Sequence, residues 1–250
     1  MGWRYSGSCV SVDIWDESAD PDAVPSYLFN PFTIATCIGR PTSSFTTCAV
    51  SYAVAKACTG RPLTAMLALG LASYLSLYPT LLLPPLILLC YDHLNRDAKT
   101  ESNLAAFALY HTTAFFTSIA CFLSESYLLM GGSWEFISST YGIHLLLPDL
   151  TPNVGLWWYF FIEMFDSFRE FFLGVFWLHL GGYVGGLCFR IRRQPLFVIT
   201  MVLGLFAIFK PYPSISDTSL FFALLPCYRH VFPRKSRPRY RCWTNGAHKT

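Results

Sequence analysis

PLTAMLALGLASYLSLYPTLLLPPLILLCY, residues 62–91, is a run of thirty residues without a single charge. A helix needs about 20 apolar residues to cross the hydrocarbon of a bilayer, so this run predicts a membrane span with residues to spare. Pro79, Pro84 and Pro85 interrupt it, and a proline inside a helix removes a backbone donor and clashes with the preceding turn. The expectation is one spanning helix followed by a broken or re-entrant segment, with protein or a cavity around the break.

Outward from this run the same grammar repeats. Asp92, Arg96, Asp97, Lys99 and Glu101 mark a solvated connection, and residues 103–130 predict a second span with Glu125 near its end. Residues 131–154 read as a loop closing on an ordered turn, since Asp149 can accept from following amides and Pro152 biases Thr151 to extended geometry. In residues 155–170, Glu163, Asp166 and Glu170 fall at i, i+3, i+7, which predicts one acidic face on an amphipathic surface helix. Residues 171–189 are again uncharged and hold Gly181, Gly182, Gly185 and Gly186. These form two overlapping G-x-x-x-G pairs, suited to close helix packing or to a lipid groove.

Arg190, Arg192 and Arg193 end that span, and the positive-inside rule places this end in the cytosol. Counting back, 155–170 is lumenal, 103–130 runs from cytosol to lumen, and 62–91 from lumen to cytosol. Residues 195–209 and 220–228 add short apolar elements. Residues 34–60, interrupted by Lys56, predict a short half-inserted helix. The sum is an all-α polytopic membrane protein with about four to six membrane helices or half-helices.

Composition agrees. Apolar types make up 53% of the 250 residues and charged types 13%, about half the globular norm of roughly a quarter. Residues 1–28 hold five acids and one Arg, a net −4; residues 229–250 hold seven basic residues and no acid, a net +7. The domain reading is an acidic, disordered head at 1–23, a transmembrane body at 24–228 and a basic, disordered tail at 229–250. The head has no basic n-region and no apolar h-region, so insertion through an internal helix is expected. The tail, with Arg234, Lys235, Arg237, Arg239 and Arg241, reads as a solvated segment and not a nucleic-acid binder.

The nine cysteines form no C-x-x-C and lie mostly in apolar runs, as small hydrophobes do. No metal or cofactor motif appears among the histidines or glycines. Asp20-Pro-Asp22 is a D-x-D pair of the kind used by sugar-nucleotide enzymes. Glu125, Asp149, Glu163 and Asp166 are ionisable groups at membrane depth, a functional hypothesis by default.

Several ordered motifs then resemble a known family. They are Leu28-Phe-Asn-Pro-Phe-Thr-Ile-Ala-Thr-Cys-Ile-Gly-Arg40, Leu77-Tyr78-Pro79, Ser133-Trp134-Glu135-Phe136 and Tyr141-Gly142. The most specific is Pro148-Asp-Leu-Thr-Pro-Asn-Val-Gly-Leu-Trp-Trp-Tyr-Phe-Phe-Ile-Glu-Met-Phe165, followed by Ala207-Ile-Phe-Lys-Pro-Tyr-Pro213 and Asp217. Together they resemble the PIG-U subunits of the glycosylphosphatidylinositol (GPI) transamidase.

The resemblance implies a multi-pass protein of the endoplasmic reticulum membrane and a fold like the class C glycosyltransferase-like membrane enzymes. It implies a non-catalytic subunit that helps recognise the GPI lipid or the proprotein's C-terminal signal. The catalytic cysteine then sits on another, cysteine-protease-like subunit of the complex. The implied lipid- or signal-contact residues are Asn30, Pro31, Asp149, Thr151, Pro152, Asn153, Trp157, Trp158, Tyr159 and Glu163, with Gly181, Gly182, Gly185 and Gly186 packing helices. No metal, cofactor or nucleic acid is implied. Family members are longer at both ends. The alternatives are a lumenal mannosyltransferase-like enzyme using a lipid-linked sugar through Asp20 and Asp22, or a truncated fragment without function.

Overall fold

The structure, a computed structural model, describes residues 27–98, 103–142, 151–153, 155–226 and 228. The head at 1–23, the tail at 229–250, Asp20, Asp22 and Asp149 lie outside the described residues. Those described form helices and turns, with no strand among them.

Prolines and caps punctuate the helices. Helix α1 (Pro31–Gly39) starts with Pro31 in its first turn, where the missing donor costs nothing, and Asn30 Oδ1 accepts from Phe32 N at 3.0 Å. Arg40, at φ 44°, and Pro41 end it. Helix α2 (Ser43–Cys58) follows, then α3 (Pro62–Leu75), again opened by a proline. A 3-10 turn (Tyr78–Leu82) holds Pro79, and α4 (Leu83–Ala98) carries Pro84 and Pro85 in its first turn. Helix α5 (Leu104–Leu129) is capped by Asn103 Oδ1, which accepts from Ala105 N at 3.0 Å. Then come α6 (Leu156–Ile162), α7 (Arg169–Arg190), α8 (Pro195–Phe209) and α9 (Ile215–Leu224).

The run 62–91 breaks around Pro79 as expected, and its two helices fold back on each other as an antiparallel hairpin. A Cβ on Gly60, just before α3, would lie 3.2 Å from His93 Nδ1, near the end of α4. Helix α5 measures the hairpin: its Phe107 meets Tyr91 (ring centroids 5.6 Å), and its Ser126 Oγ bonds the Tyr74 hydroxyl at 2.6 Å. These partners are 19 residues apart on α5, about 28 Å along the axis. The start of α3 and the end of α4 thus share one end of the molecule, and the 3-10 turn lies at the other. This corrects the expected lumen-to-cytosol passage of 62–91. The cause is α3's length: 14 residues give about 21 Å, and the bend around Pro79 turns the chain back before a full span is made.

Residues 34–60 also depart from expectation. They are not one half-inserted helix but α1 and α2, and α2 buries Ala49, Val50, Ala53, Val54 and Ala57 against α3. Small side chains allow this close approach. The short α8 lies at the heart of the bundle, with Val198, Ile199, Thr200, Val202, Leu203 and Phe206 all buried. The three acids of 155–170 do not share a helix. Helix α6 stops at Ile162, a 3-10 turn covers Asp166–Phe168, and α7 starts at Arg169. Asp and Ser are weak formers of helix interiors, and the helix is interrupted at Asp166-Ser167.

Among the described helices only α5 and α7 are both long and apolar enough to cross a bilayer, and 17% of each one's most apolar stretch is buried. A core helix of a soluble protein would be mostly covered; these two present most of their apolar surface outward. In vesicles of a cysteine-free chain, Arg61→Cys and Leu94→Cys are expected to react with a membrane-impermeant maleimide from the same side. Labelling from opposite sides rules out the hairpin. Where α3 meets α5, a Cβ on Gly70 would lie 1.9 Å from Ser118 Oγ and 3.1 Å from Ser118 Cβ. Gly70→Val should therefore cost about 1–3 kcal/mol, read as a lower melting temperature of the detergent-solubilised chain.

Candidate functional site

Chain order dictates what gathers at the hairpin's turn. Helix α8 ends there at Lys210, α9 begins there after Ser214, α2 begins at Ser43, and α6 lies against the end of α8. Lys210 and Asp217 are largely withdrawn from solvent, their side chains 11% and 12% exposed. A charge so placed needs a counter-charge, and Lys210 Nζ bonds Asp217 Oδ1 at 2.6 Å. The other carboxylate oxygen, Oδ2, accepts from Ser214 N at 3.2 Å and Ser214 Oγ at 2.8 Å. This is a capping box that starts α9. Lys210 Nζ also stands 5.4 Å from the ring centroid of Tyr78 in the hairpin turn, a cation–π contact. Tyr78 in turn stacks on Trp177 of α7 at 5.1 Å and meets Phe206 of α8 edge-on at 5.9 Å.

Hydroxyls extend the network to α2. Ser43 Oγ lies 2.7 Å from Ser216 Oγ and 3.1 Å from Ser214 Oγ, and these two are 2.8 Å apart. Helices α2, α8, α9 and the hairpin turn are thus tied at one end by polar groups in an otherwise apolar body.

Asn153 and Trp157 join the same end from the other side. Asn153 Nδ2 donates to Pro211 O and to Thr151 O, both at 3.2 Å, while its Oδ1 accepts from Gly155 N at 2.7 Å. A Cβ on Gly155 would stand 2.6 Å from Asn153 Oδ1 and 2.8 Å from Pro213 Cδ, so no larger residue fits without moving this bracket. Trp157 is buried, donates its indole N–H to Phe209 O, and packs on Phe176 at 4.7 Å.

The residues expected to contact lipid or signal therefore divide. Asn153 and Trp157 face inward and hold the end of α8 in place. Thr151, Pro152, Tyr159 and Glu163 are exposed, Tyr159 by 70%, and Trp158 is half-buried. Beside them Ile162, Phe165 and Phe168 are exposed as well, giving an outward rim of aromatic and aliphatic groups around one carboxylate. Asn30 and Pro31 stand apart at the start of α1, which leans on α9 through stacked Phe32 and Phe222 at 5.2 Å. Gly181, Gly182, Gly185 and Gly186 are exposed, and a Cβ on any of them would meet nothing within 4 Å. Their face of α7 is open, with Leu180 and Val184 buried on the opposite side.

Sequence reasoning did not single out Lys210, Asp217, Ser43, Ser214, Ser216 or Tyr78 as site residues. One signal was available. Ser214-Ile-Ser-Asp217 has capping-box spacing with Lys210 just upstream, and opposite charges flanking a Pro-Tyr-Pro turn in an apolar stretch must pair.

Among the described residues no three His, Cys, Asp or Glu side chains gather as a metal site. Lys210, Asp217, Ser43, Ser214, Ser216 and Asn153 use their polar groups to join one segment to another. Lys210→Met is expected to cost about 3–5 kcal/mol, because it strands the Asp217 charge. Adding Asp217→Ser should recover part of that loss. A double variant that melts lower than Lys210→Met alone would refute the pairing argument.

A profile described as "GPI transamidase subunit PIG-U" matches residues 16–243. The chain is similar to "GPI-anchor transamidase component PIGU" of Homo sapiens, 33% identical over 207 residues, 82% of this chain and 47% of that protein. It is similar to "GPI transamidase component GAB1" of Saccharomyces cerevisiae, 33% identical over 208 residues, 82% of this chain and 50% of that protein. A GAB1 homolog of Schizosaccharomyces pombe is 44% identical over 115 residues, 46% of this chain and 28% of that protein. The chain spans about half the length of the curated relatives it matches. On the breadth of the profile match, with its motifs meeting at one end of an all-helical bundle, the chain belongs to the PIG-U family.

Proposed function

We propose that this chain acts as a non-catalytic membrane subunit in the attachment of GPI anchors to proteins, within a GPI transamidase complex. The observation that carries this is the convergence of 151–165 and 207–217, through Asn153 and Pro211, Trp157 and Phe209, and Lys210 and Asp217. Two sequence segments of the family pattern, some 50 residues apart, build one end of the bundle. That end presents a rim of Tyr159, Ile162, Glu163, Phe165 and Phe168.

The reading places the chain across the endoplasmic reticulum membrane in several passes, with the rim on the lumenal side. There an aromatic and aliphatic surface suits a GPI lipid or the apolar C-terminal signal of a proprotein. Arg190, Arg192 and Arg193 lie at the opposite end of α7, which the positive-inside rule assigns to the cytosol. The partners are the other subunits, the cysteine-protease-like catalytic subunit among them. The open glycine face of α7 suits close approach of a neighbouring helix.

The inward and outward residues make separable predictions in cells lacking the endogenous subunit. Tyr159→Ala combined with Glu163→Gln should leave the chain's abundance near normal and lower surface display of a GPI-anchored reporter several-fold, measured by flow cytometry. Trp157→Ala should instead lower abundance, since truncating a buried tryptophan costs about 3–5 kcal/mol. Normal reporter display with the rim pair replaced, at normal abundance, would sink the assignment of the rim. A mild-detergent pull-down probed for the catalytic subunit tests assembly independently.

A further inference from the structure

The end opposite the Lys210–Asp217 network is chemically its inverse. Lys56 closes α2 and Arg61 opens α3, with Arg61 N bonded to Lys56 O at 3.0 Å. Gly60 between them abuts His93 on α4, as its 3.2 Å Cβ distance to Nδ1 records. The neighbouring residue, Asp92, feels the charge of Arg192 in the short link from α7 to α8. Arg190 and Arg193 flank Arg192, and all three are exposed. Five cations from α2, α3 and the end of α7 thus ring one end of the bundle. Among the described side chains one carboxylate, Asp92, answers them. Burial raises that carboxyl from its ordinary value, and the Arg192 guanidinium pulls it the other way. The remaining described carboxylates belong to the other end: Glu125 and Glu135 at and beyond the end of α5, Glu163 just after α6, Glu170 in the first turn of α7, and Asp217.

We infer that Lys56, Arg61, Arg190, Arg192 and Arg193 form a binding site for the phosphate-bearing headgroup of an anionic phospholipid. Three observations support it. The cations terminate apolar helices, so they sit at headgroup level when those helices are in a bilayer. Three come from the end of α7 and its link to α8 and two from the α2–α3 connection, and the approaches of Gly60 to His93 and of Asp92 to Arg192 bring both groups to the same end; basic clusters at the membrane surface favour anionic headgroups. Among the described side chains only Asp92 offsets their charge, in a protein otherwise poor in charge. The site rests on membrane insertion but not on the proposed role in GPI attachment.

The test uses the purified full chain in non-ionic detergent micelles containing phosphatidylserine or phosphatidylcholine, with lipid retained per protein measured by mass spectrometry after gel filtration. Each cation near a headgroup is worth about 1 kcal/mol, roughly fivefold in binding. Phosphatidylserine should be retained at least about fivefold over phosphatidylcholine. The Arg190→Gln/Arg192→Gln/Arg193→Gln chain should lose that preference while keeping its helical circular dichroism. Lys56→Gln/Arg61→Gln should weaken it, and Asp92→Asn should strengthen it by removing the opposing carboxylate. The inference is overturned if the two lipids are retained equally, or if Asp92→Asn weakens retention. It is also overturned if millimolar inorganic phosphate displaces phosphatidylserine, which would make the site one for free phosphate.

Discussion

A lysine and an aspartate set seven residues apart in an apolar stretch have little choice but to meet. Left alone, either side chain would face a desolvation cost of several kcal/mol. Pairing requires the chain between them to turn within four residues, and Pro211 and Pro213 allow that turn. From this one constraint much of the packing at that end follows. Asp217 starts α9 as its capping acid, Lys210 ends α8 over the ring of Tyr78, and Tyr78 fixes where the α3–α4 hairpin bends. Asn153 then reads the carbonyl of Pro211 and Trp157 that of Phe209, so α6 docks on a surface the ion pair has already set.

A buried ion pair is a poor source of net stability but a good source of register, since any slip of α8 against α9 separates the charges. The hydroxyl triad of Ser43, Ser214 and Ser216 extends that register to α2. The bundle is thus defined chemically at one end and by shape along its length. Alanines on α2, Gly70 on α3 and the buried aliphatic faces of α8 do the second job.

Much of this was legible in the sequence, and unevenly so. Apolar runs and proline breaks follow from local rules, and α5 and α7 fall close to their expected bounds. The hairpin was not legible, because thirty uncharged residues fit one long span as well as two short arms. Only the contacts of Gly60 with His93 and of Ser126 with Tyr74 decide between them. The acidic face of 155–170 failed because helical periodicity presumes an unbroken helix, and the chain restarts at Asp166. In the site, Asn153 and Trp157 were found as motif residues, but their inward orientation depends on partners some 50 positions away. The glycine pairs of α7 were read as suited to a neighbouring helix or a lipid groove, and among the described residues no helix covers their face.

The short arms carry a consequence for the surrounding solvent. Helices α3, α8 and α9, of 14, 15 and 10 residues, rise about 21, 22 and 15 Å. Helix α5, at 26 residues, rises about 39 Å. Hydrocarbon about 30 Å thick fits neither length. In a bilayer, lipid beside the outward faces of α3 and α9 would have to compress to match, while beside α5 it would have to stretch or the helix would tilt. A molecule entering beside α3 or α9 would meet a shallower oil layer than elsewhere in the same membrane, and a headgroup or peptide end crossing there would travel a shorter distance out of water.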